Sequence, residues 1–139
     1  WKAICENPSL IPNAIEEILR YSPSIVSWRR KALEDSEISG VTIPAGANLL
    51  LVMCSGNRDE ANFENGETFD IQRPNAKEHL SFGYGIHFCL GSPLAKLEFK
   101  TVLEELTRKL PHLTIKENQA FQFALNTSFR APVALEVEW

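Results

Sequence analysis

An α+β fold is predicted for these 139 residues, on three observations. Two runs carry apolar residues at helical spacing, and several short apolar runs bounded by Gly and Pro read as strands. A long turn-rich stretch with little periodicity lies between the strands and the second helix.

The first helix is "NAIEEILRY": Ile15, Ile18 and Leu19 fall on one face, Asn13 is the expected N-cap, and Pro23 closes the run. Between Ile25 and Met53 come "IVSW", "SGVTIPAG" and "ANLLLVM", separated by Gly40 and the Pro44-Ala45-Gly46 turn. Residues 55 to 78 are irregular, and stretches of that kind inside a compact domain tend to be functional unless disordered. Phe63 and Phe69 are expected to pin this one down. After Cys89 a second helix is predicted, with Leu90, Leu94, Leu97, Val102, Leu103, Leu106 and Leu110 on a shared face. Glu104–Arg108 and Glu105–Lys109 supply i,i+4 pairs, Pro93 falls in the first turn, and Pro111 ends the run. The tail ("LTIKE", "FQFAL", "PVALEVEW") alternates weakly and reads as short strands.

Composition narrows the function classes. A chain of this size with 44% hydrophobic residues is one domain able to bury a core. No apolar run reaches the ~18–20 residues of a membrane span, and "WKAICENPSL" lacks the pattern of a secretory leader. The first residue is Trp, which leads to the expectation of a piece of a longer chain. A net charge of −4 argues against a nucleic-acid partner. Cys5, Cys54 and Cys89 are far apart, with no Cys-x-x-Cys spacing, which suits a reducing cytoplasm and at most one cysteine with a special task.

That task falls to Cys89 in "HLSFGYGIHFCLGSPLAKLE". The start of a helix favours a negatively charged sulfur, and glycines at 83 and 85 allow sharp turns and close approach of a flat partner. A buried structural cysteine is the ordinary reading of a free thiol. A nucleophile would use His87 as base but lacks an evident Asn or Asp to orient it. Zinc would need three or four ligands, and His79, His87 and Cys89 could supply three at a spacing that matches no common finger. None of these accounts for Phe82 and the glycines together.

"FGYGIHFCLG" resembles the cysteine-ligand loop of the cytochrome P450 family, Phe-Gly-x-Gly-x-His-x-Cys-x-Gly, at every fixed position: Phe82, Gly83, Gly85, His87, Cys89 and Gly91. Glu17 and Arg20 resemble the family's Glu-x-x-Arg pair, and Arg73 in "FDIQR" its meander arginine, which implies a buried triad. Arg30 matches an arginine that meets a haem propionate, with its neighbour Arg29 as the alternative. "IPAG", "NRD" and "CLGSPLAKLE" are similar to the bacterial soluble branch, except that Lys96 stands where Arg is usual.

The resemblance implies a mainly helical cytochrome P450 fold. Residues 1–139 would be the C-terminal portion of its single domain, with the haem-ligand loop, the proximal helix and short β-sheets. It implies a haem-thiolate monooxygenase that inserts one oxygen atom from O2 into a small organic substrate, with haem b (iron protoporphyrin IX) as cofactor. Cys89 would be the axial iron ligand, Phe82 would pack beside the sulfur, His87 would meet a propionate, and Gly83, Gly85 and Gly91 would complete the cofactor-binding loop. A ferredoxin or flavodoxin would donate electrons, in the cytoplasm. Ser24–Trp28 and Leu125–Phe129 would approach substrate. The family's distal helix with its acid–Thr pair has no counterpart here; Glu67-Thr68 imitates the pair but lies in the irregular stretch. The alternative is a truncated non-catalytic fragment, or a haem-binding module with an incomplete pocket. The isolated fragment is expected to self-associate.

Overall fold

The computed structural model describes every residue, Trp1–Trp139. Helix α1 (Lys2–Glu6) leads through a 3-10 turn at Pro8–Leu10 into α2 (Ile11–Tyr21). Strand β1 (Trp28–Lys31), the hairpin β2 (Ser36–Ile38) and β3 (Val41–Ile43), and β4 (Asn48–Leu51) follow. A one-turn helix α3 (Met53–Gly56), the irregular stretch and two more 3-10 turns lead to the long helix α4 (Ser92–Lys109). Strands β5 (Thr114–Ile115) and β6 (Val137–Glu138) close the chain.

All three sheets are antiparallel pairs. β1 pairs with β4 in the register Trp28 opposite Leu51 and Arg30 opposite Leu49. In β2–β3, Ser39 and Gly40 both have positive φ (50° and 78°), the backbone that a two-residue hairpin loop needs to match strand twist. The expected strand at 25–28 instead runs from Trp28 to Lys31, and Ile25 makes only a bridge to Phe129. Cys54, just past the "ANLLLVM" run, sits in α3.

Two helices give the core. Ile4 of α1 and Ile11, Ala14, Ile15 and Leu19 of α2 are buried together, with Phe82, Phe99 and Leu103 packed against them. α2 begins two residues before Asn13, because Pro12 is pre-set for a first helical turn and needs no N–H partner there. Asn13 is therefore not an N-cap. Its amide instead donates to the carbonyls of Ile71 and Arg73 at 2.8 and 3.1 Å, tying the helix to the irregular stretch.

The second helix also differs from the periodicity reading. The stripe turned inward is Ser92, Ala95, Lys96, Phe99, Leu103, Leu106 and Thr107, while Leu94, Leu97 and Val102 are exposed. Leu103 and Leu106 keep to the packed face as expected, but its other positions are Ser, Ala, Lys, Phe and Thr, so leucine alone does not mark it. Of the two expected ion pairs, Glu105–Lys109 forms at 2.8 Å, but Arg108 turns to Glu105 at 2.7 Å and leaves Glu104 to Lys100. The hydrogen bonds from Arg108 and Lys109 pull the Glu105 carboxyl down to a pKa of about 2.

The irregular stretch is held by charge and by backbone carbonyls. Glu17, Arg20 and Arg73 lie together and buried. Arg20 donates from Nε and Nη2 to the two Glu17 carboxylate oxygens, each at 2.7 Å, and from Nη1 to the carbonyls of Asn57 and Gly66 at 2.7 and 2.8 Å. Arg73 reaches the Glu17 carboxylate with Nε at 3.4 Å and donates to the carbonyls of Glu64, Asn65 and Thr68. The Thr68 carbonyl accepts from both arginines at 3.0 Å. Burial raises the Glu17 pKa, but the hydrogen bonds from Arg20 and the Asp70 amide, with the two guanidinium charges, outweigh it and leave the carboxyl below its usual range. Phe63 is buried as expected, whereas Phe69 is half exposed and packs edge-on to Tyr21.

Gly66 matters here for space. A Cβ at this position would run into the Arg58 carbonyl, and the Gly66 carbonyl is one of the acceptors of Arg20. Gly66→Ala is expected to cost about 1–3 kcal/mol, the usual range for forced overpacking. The urea midpoint of the full-length variant checks this; an unchanged midpoint would mean that the Arg58 backbone yields freely.

Candidate functional site

The cysteine loop hangs between the buried network and α4. Asn57 is fully buried and anchors the loop's first half. Its Oδ1 accepts the Leu80 N–H at 2.6 Å and its Nδ2 donates to Ser81 Oγ at 2.9 Å, while Ser81 Oγ donates to the Leu19 carbonyl at 2.6 Å. Two turns follow, with Gly83 at φ +75° and Gly85 at φ +69°, a region costly for any residue with a Cβ. The chain then doubles back, so that the Cys89 N–H donates to the Phe82 carbonyl at 2.8 Å and the Phe88 N–H to Gly85 at 3.0 Å. Helix α4 starts at Ser92, three residues past the sulfur, with Gly91 as its N-cap. A methyl on Gly91 would touch Cys89 Sγ at 3.7 Å, an ordinary contact that would cover one side of the sulfur.

Cys89 is the exposed cysteine of the three; Cys5 and Cys54 are half-buried. It opens onto a cleft of about 390 Å3 whose walls include Ile25, Trp28, Leu51 and Phe82, with Arg30 and His87 among the polar lining. Successive residues of a strand point to opposite faces, so Trp28 and Arg30 share the cleft side of β1 and Arg29 lies on the other. Arg29 approaches Thr127 Oγ1 at 3.4 Å. Arg30 makes no ion pair within the chain.

His79 does not join His87 and Cys89. It is buried, its Nδ1 accepts the Ser81 N–H at 3.1 Å, and its Nε2 lies 3.2 Å from Glu16. Desolvation lowers its pKa; the Glu16 carboxylate works in the opposite direction and is outweighed. No group of three or more His, Cys, Asp or Glu side chains converges to hold a metal ion, so the zinc arrangement does not form. The nucleophile arrangement gains no orienting Asn or Asp at His87 either.

The cleft suits a flat apolar group with anionic edges: aromatic and aliphatic walls, one soft sulfur donor, and an arginine and a histidine that can meet carboxylates. Haem has that chemistry. The family description "Cytochrome P450" matches residues 6–129. The chain belongs to the cytochrome P450 family. It is 44% identical over 113 residues to a 20-oxo-5-O-mycaminosyltylactone 23-monooxygenase of Streptomyces fradiae, covering 81% of this chain and 27% of that protein. It is 43% identical over 115 residues to a steroid C26-monooxygenase of Mycobacterium tuberculosis, covering 83% of this chain and 29% of that one. Among solved structures, cytochrome P450 CREJ superposes with a TM-score of 0.96 at 60% identity, covering all of this chain and 35% of CREJ. The chain thus spans about a third or less of the length of these relatives. The α+β elements described above are part of a P450 fold. No helix is long and apolar enough to cross a membrane.

Asn57 and Glu16 carry the site's support and were not singled out for such roles from sequence. The Asn57 signal lay in "NRD", where a short polar residue interrupts the chain after an apolar strand; nothing local marked Glu16.

Proposed function

We propose that residues 1–139 form the C-terminal, proximal part of a haem-thiolate monooxygenase domain, with Cys89 as the axial ligand of haem b. The single observation that carries this reading is the exposed Cys89 sulfur on an apolar cleft that also holds Arg30 and His87. When bound, the haem activates O2 so that one oxygen atom enters a small organic substrate, and thiolate ligation favours O–O cleavage.

The chain's own residues prepare that chemistry. Arg30 and His87 bind and orient the cofactor's carboxylates. Arg30 takes this role over Arg29 because it lies on the cleft side of β1. Phe82 walls the sulfur from one side, and Gly83, Gly85 and Gly91 bring the backbone close without side-chain bulk. The 3-10 turn at Gly85–His87 aims His87 at the rim. Glu17, Arg20 and Arg73 hold the irregular stretch, which carries Asn57 and so the loop. Ser24–Trp28 and Leu125–Phe129 approach substrate, joined by the Ile25–Phe129 bridge and the edge-on Trp28–Phe129 ring pair.

Electrons come from a ferredoxin- or flavodoxin-type donor in the cytoplasm. A structural relative at 52% identity is an intact type IV self-sufficient cytochrome P450 monooxygenase. A second reading, a non-catalytic fragment, is favoured by one observation: Leu90, Leu94, Leu97 and Val102 stand exposed around the loop and α4, as expected of a chain that self-associates when alone. The test uses the full-length protein supplied with a surrogate reductant and isotopically labelled dioxygen. One labelled oxygen atom in the organic product is expected, with haem bound one to one; haem binding without any incorporation would favour the non-catalytic reading.

A further inference from the structure

Lys96 points inward from α4 rather than out to solvent. Its Nζ lies 2.8 Å from Glu16 Oε1 and 5.7 Å from the centre of the Phe82 ring. The other Glu16 oxygen faces His79 Nε2 at 3.2 Å. Because His79 Nδ1 already accepts the Ser81 N–H, Nε2 is the nitrogen left to donate, so Glu16 receives both groups. The His79 ring in turn lies 5.8 Å from the Phe82 ring, tilted by 51°. Phe82 is thus bounded by a cation, an imidazole and the α2 core, while its carbonyl accepts the Cys89 N–H at 2.8 Å.

We propose that Glu16, His79 and Lys96 are positioning residues that fix Phe82 and, through its carbonyl and ring, set the seat and electron donation of the Cys89 sulfur. The inference rests on the reading of Cys89 as the iron ligand. Its physical basis is a cation–π contact in a partly desolvated place, stronger there than at a free surface, with the Lys96 stem held by an ion pair to a different helix. A loose Phe82 would let the Cys89 amide drift from its acceptor, and the sulfur with it. Hydrogen bonding and shielding at a metal-bound sulfur set the metal's potential.

The test measures the ferric–ferrous midpoint potential and the ferrous–carbonyl spectrum of the full-length haem protein, with Lys96→Met, Lys96→Arg, Glu16→Gln and Cys89→Ser variants. The Lys96 side chain is about one-third exposed, so Lys96→Met should fold. Lys96→Met and Glu16→Gln are expected to shift the potential in the same direction and to raise several-fold the share of complex lacking the red-shifted thiolate band. Lys96→Arg, which keeps the charge, should return both readouts towards the parent. Parent-like potential and spectrum in Lys96→Met and Glu16→Gln, even with a lower melting temperature, would overturn the inference while leaving the ligand assignment standing. Retention of the thiolate band in Cys89→Ser would overturn the ligand assignment itself, and the inference with it.

Discussion

Alanine in place of Glu17 is expected to destabilise the full-length protein by about 3–5 kcal/mol, the cost of leaving a buried charge without its partner. In this fold there are two such charges. Glu17 and Arg20 have no exposed side-chain surface and Arg73 has 7%, so water cannot replace the lost carboxylate. The Asp70 N–H, 2.8 Å from Glu17 Oε1, would lose its acceptor as well. Arg73→Ala should fall in the same range, because it also releases the carbonyls of Glu64 and Asn65 and leaves that of Thr68 to Arg20 alone. The effect reaches the site through the chain: Arg20 holds the Asn57 carbonyl, and Asn57 holds Leu80 and Ser81 at the start of the cysteine loop. Loss of haem with poor folding is therefore expected, not a selective change in substrate affinity. Denaturant midpoints decide the matter; values within ~0.5 kcal/mol of the parent would mean that these residues act as an ordinary surface pair. The pH dependence has a definite sign. Glu17 titrates below its usual value of 4.5 in the fold, so its contribution is fully present above about pH 4.5 and is lost as pH falls through the lower folded value.

What could be read from the sequence was whatever is encoded locally. The cysteine loop packs six recognisable positions into ten residues, and Gly83 and Gly85 announce their positive φ by being glycines. The α2 helix is visible from Ile15, Ile18 and Leu19, although it starts at Ile11, two residues before Asn13. Asn13 has the chemistry of a cap, and only the tertiary fold shows its amide spent on Ile71 and Arg73. The inward stripe of α4 was hidden for a related reason. Its inward positions include Ser92, Ala95, Lys96 and Phe99 beside Leu103 and Leu106, and a pattern keyed to leucine finds only the last two while adding the exposed Leu94 and Leu97. The Glu16–Lys96 pair spans 80 positions of chain between α2 and α4, so no spacing rule could supply it. Arg29 and Arg30 are equivalent as adjacent letters and become distinct once β1 pairs with β4 and alternation assigns each a side.

Cys89→Ser is the substitution expected to have the largest functional effect. Serine keeps the size and the backbone, so the hydrogen bond from the residue-89 N–H to the Phe82 carbonyl and the two glycine turns should survive and the protein should fold. What goes is the soft, readily ionised donor, since a serine hydroxyl is neutral at working pH and a poor ligand to iron. The ferrous–carbonyl complex of the full-length protein should lose its red-shifted band. Oxygen insertion should fall by more than the ~10–100-fold typical of losing an outer partner of a metal ligand, because the electron donation that assists O–O cleavage is removed at its source. The other two cysteines are the controls. Cys5 is half-buried with Sγ 3.8 Å from the Pro111 carbonyl, and Cys54 is half-buried in α3. Neither lines the cleft that Cys89 shares with Arg30 and His87. Cys5→Ser and Cys54→Ser should keep the band and change stability only modestly. A band that survives in Cys89→Ser and disappears in Cys54→Ser would move the iron to α3 and refute the assignment of this loop.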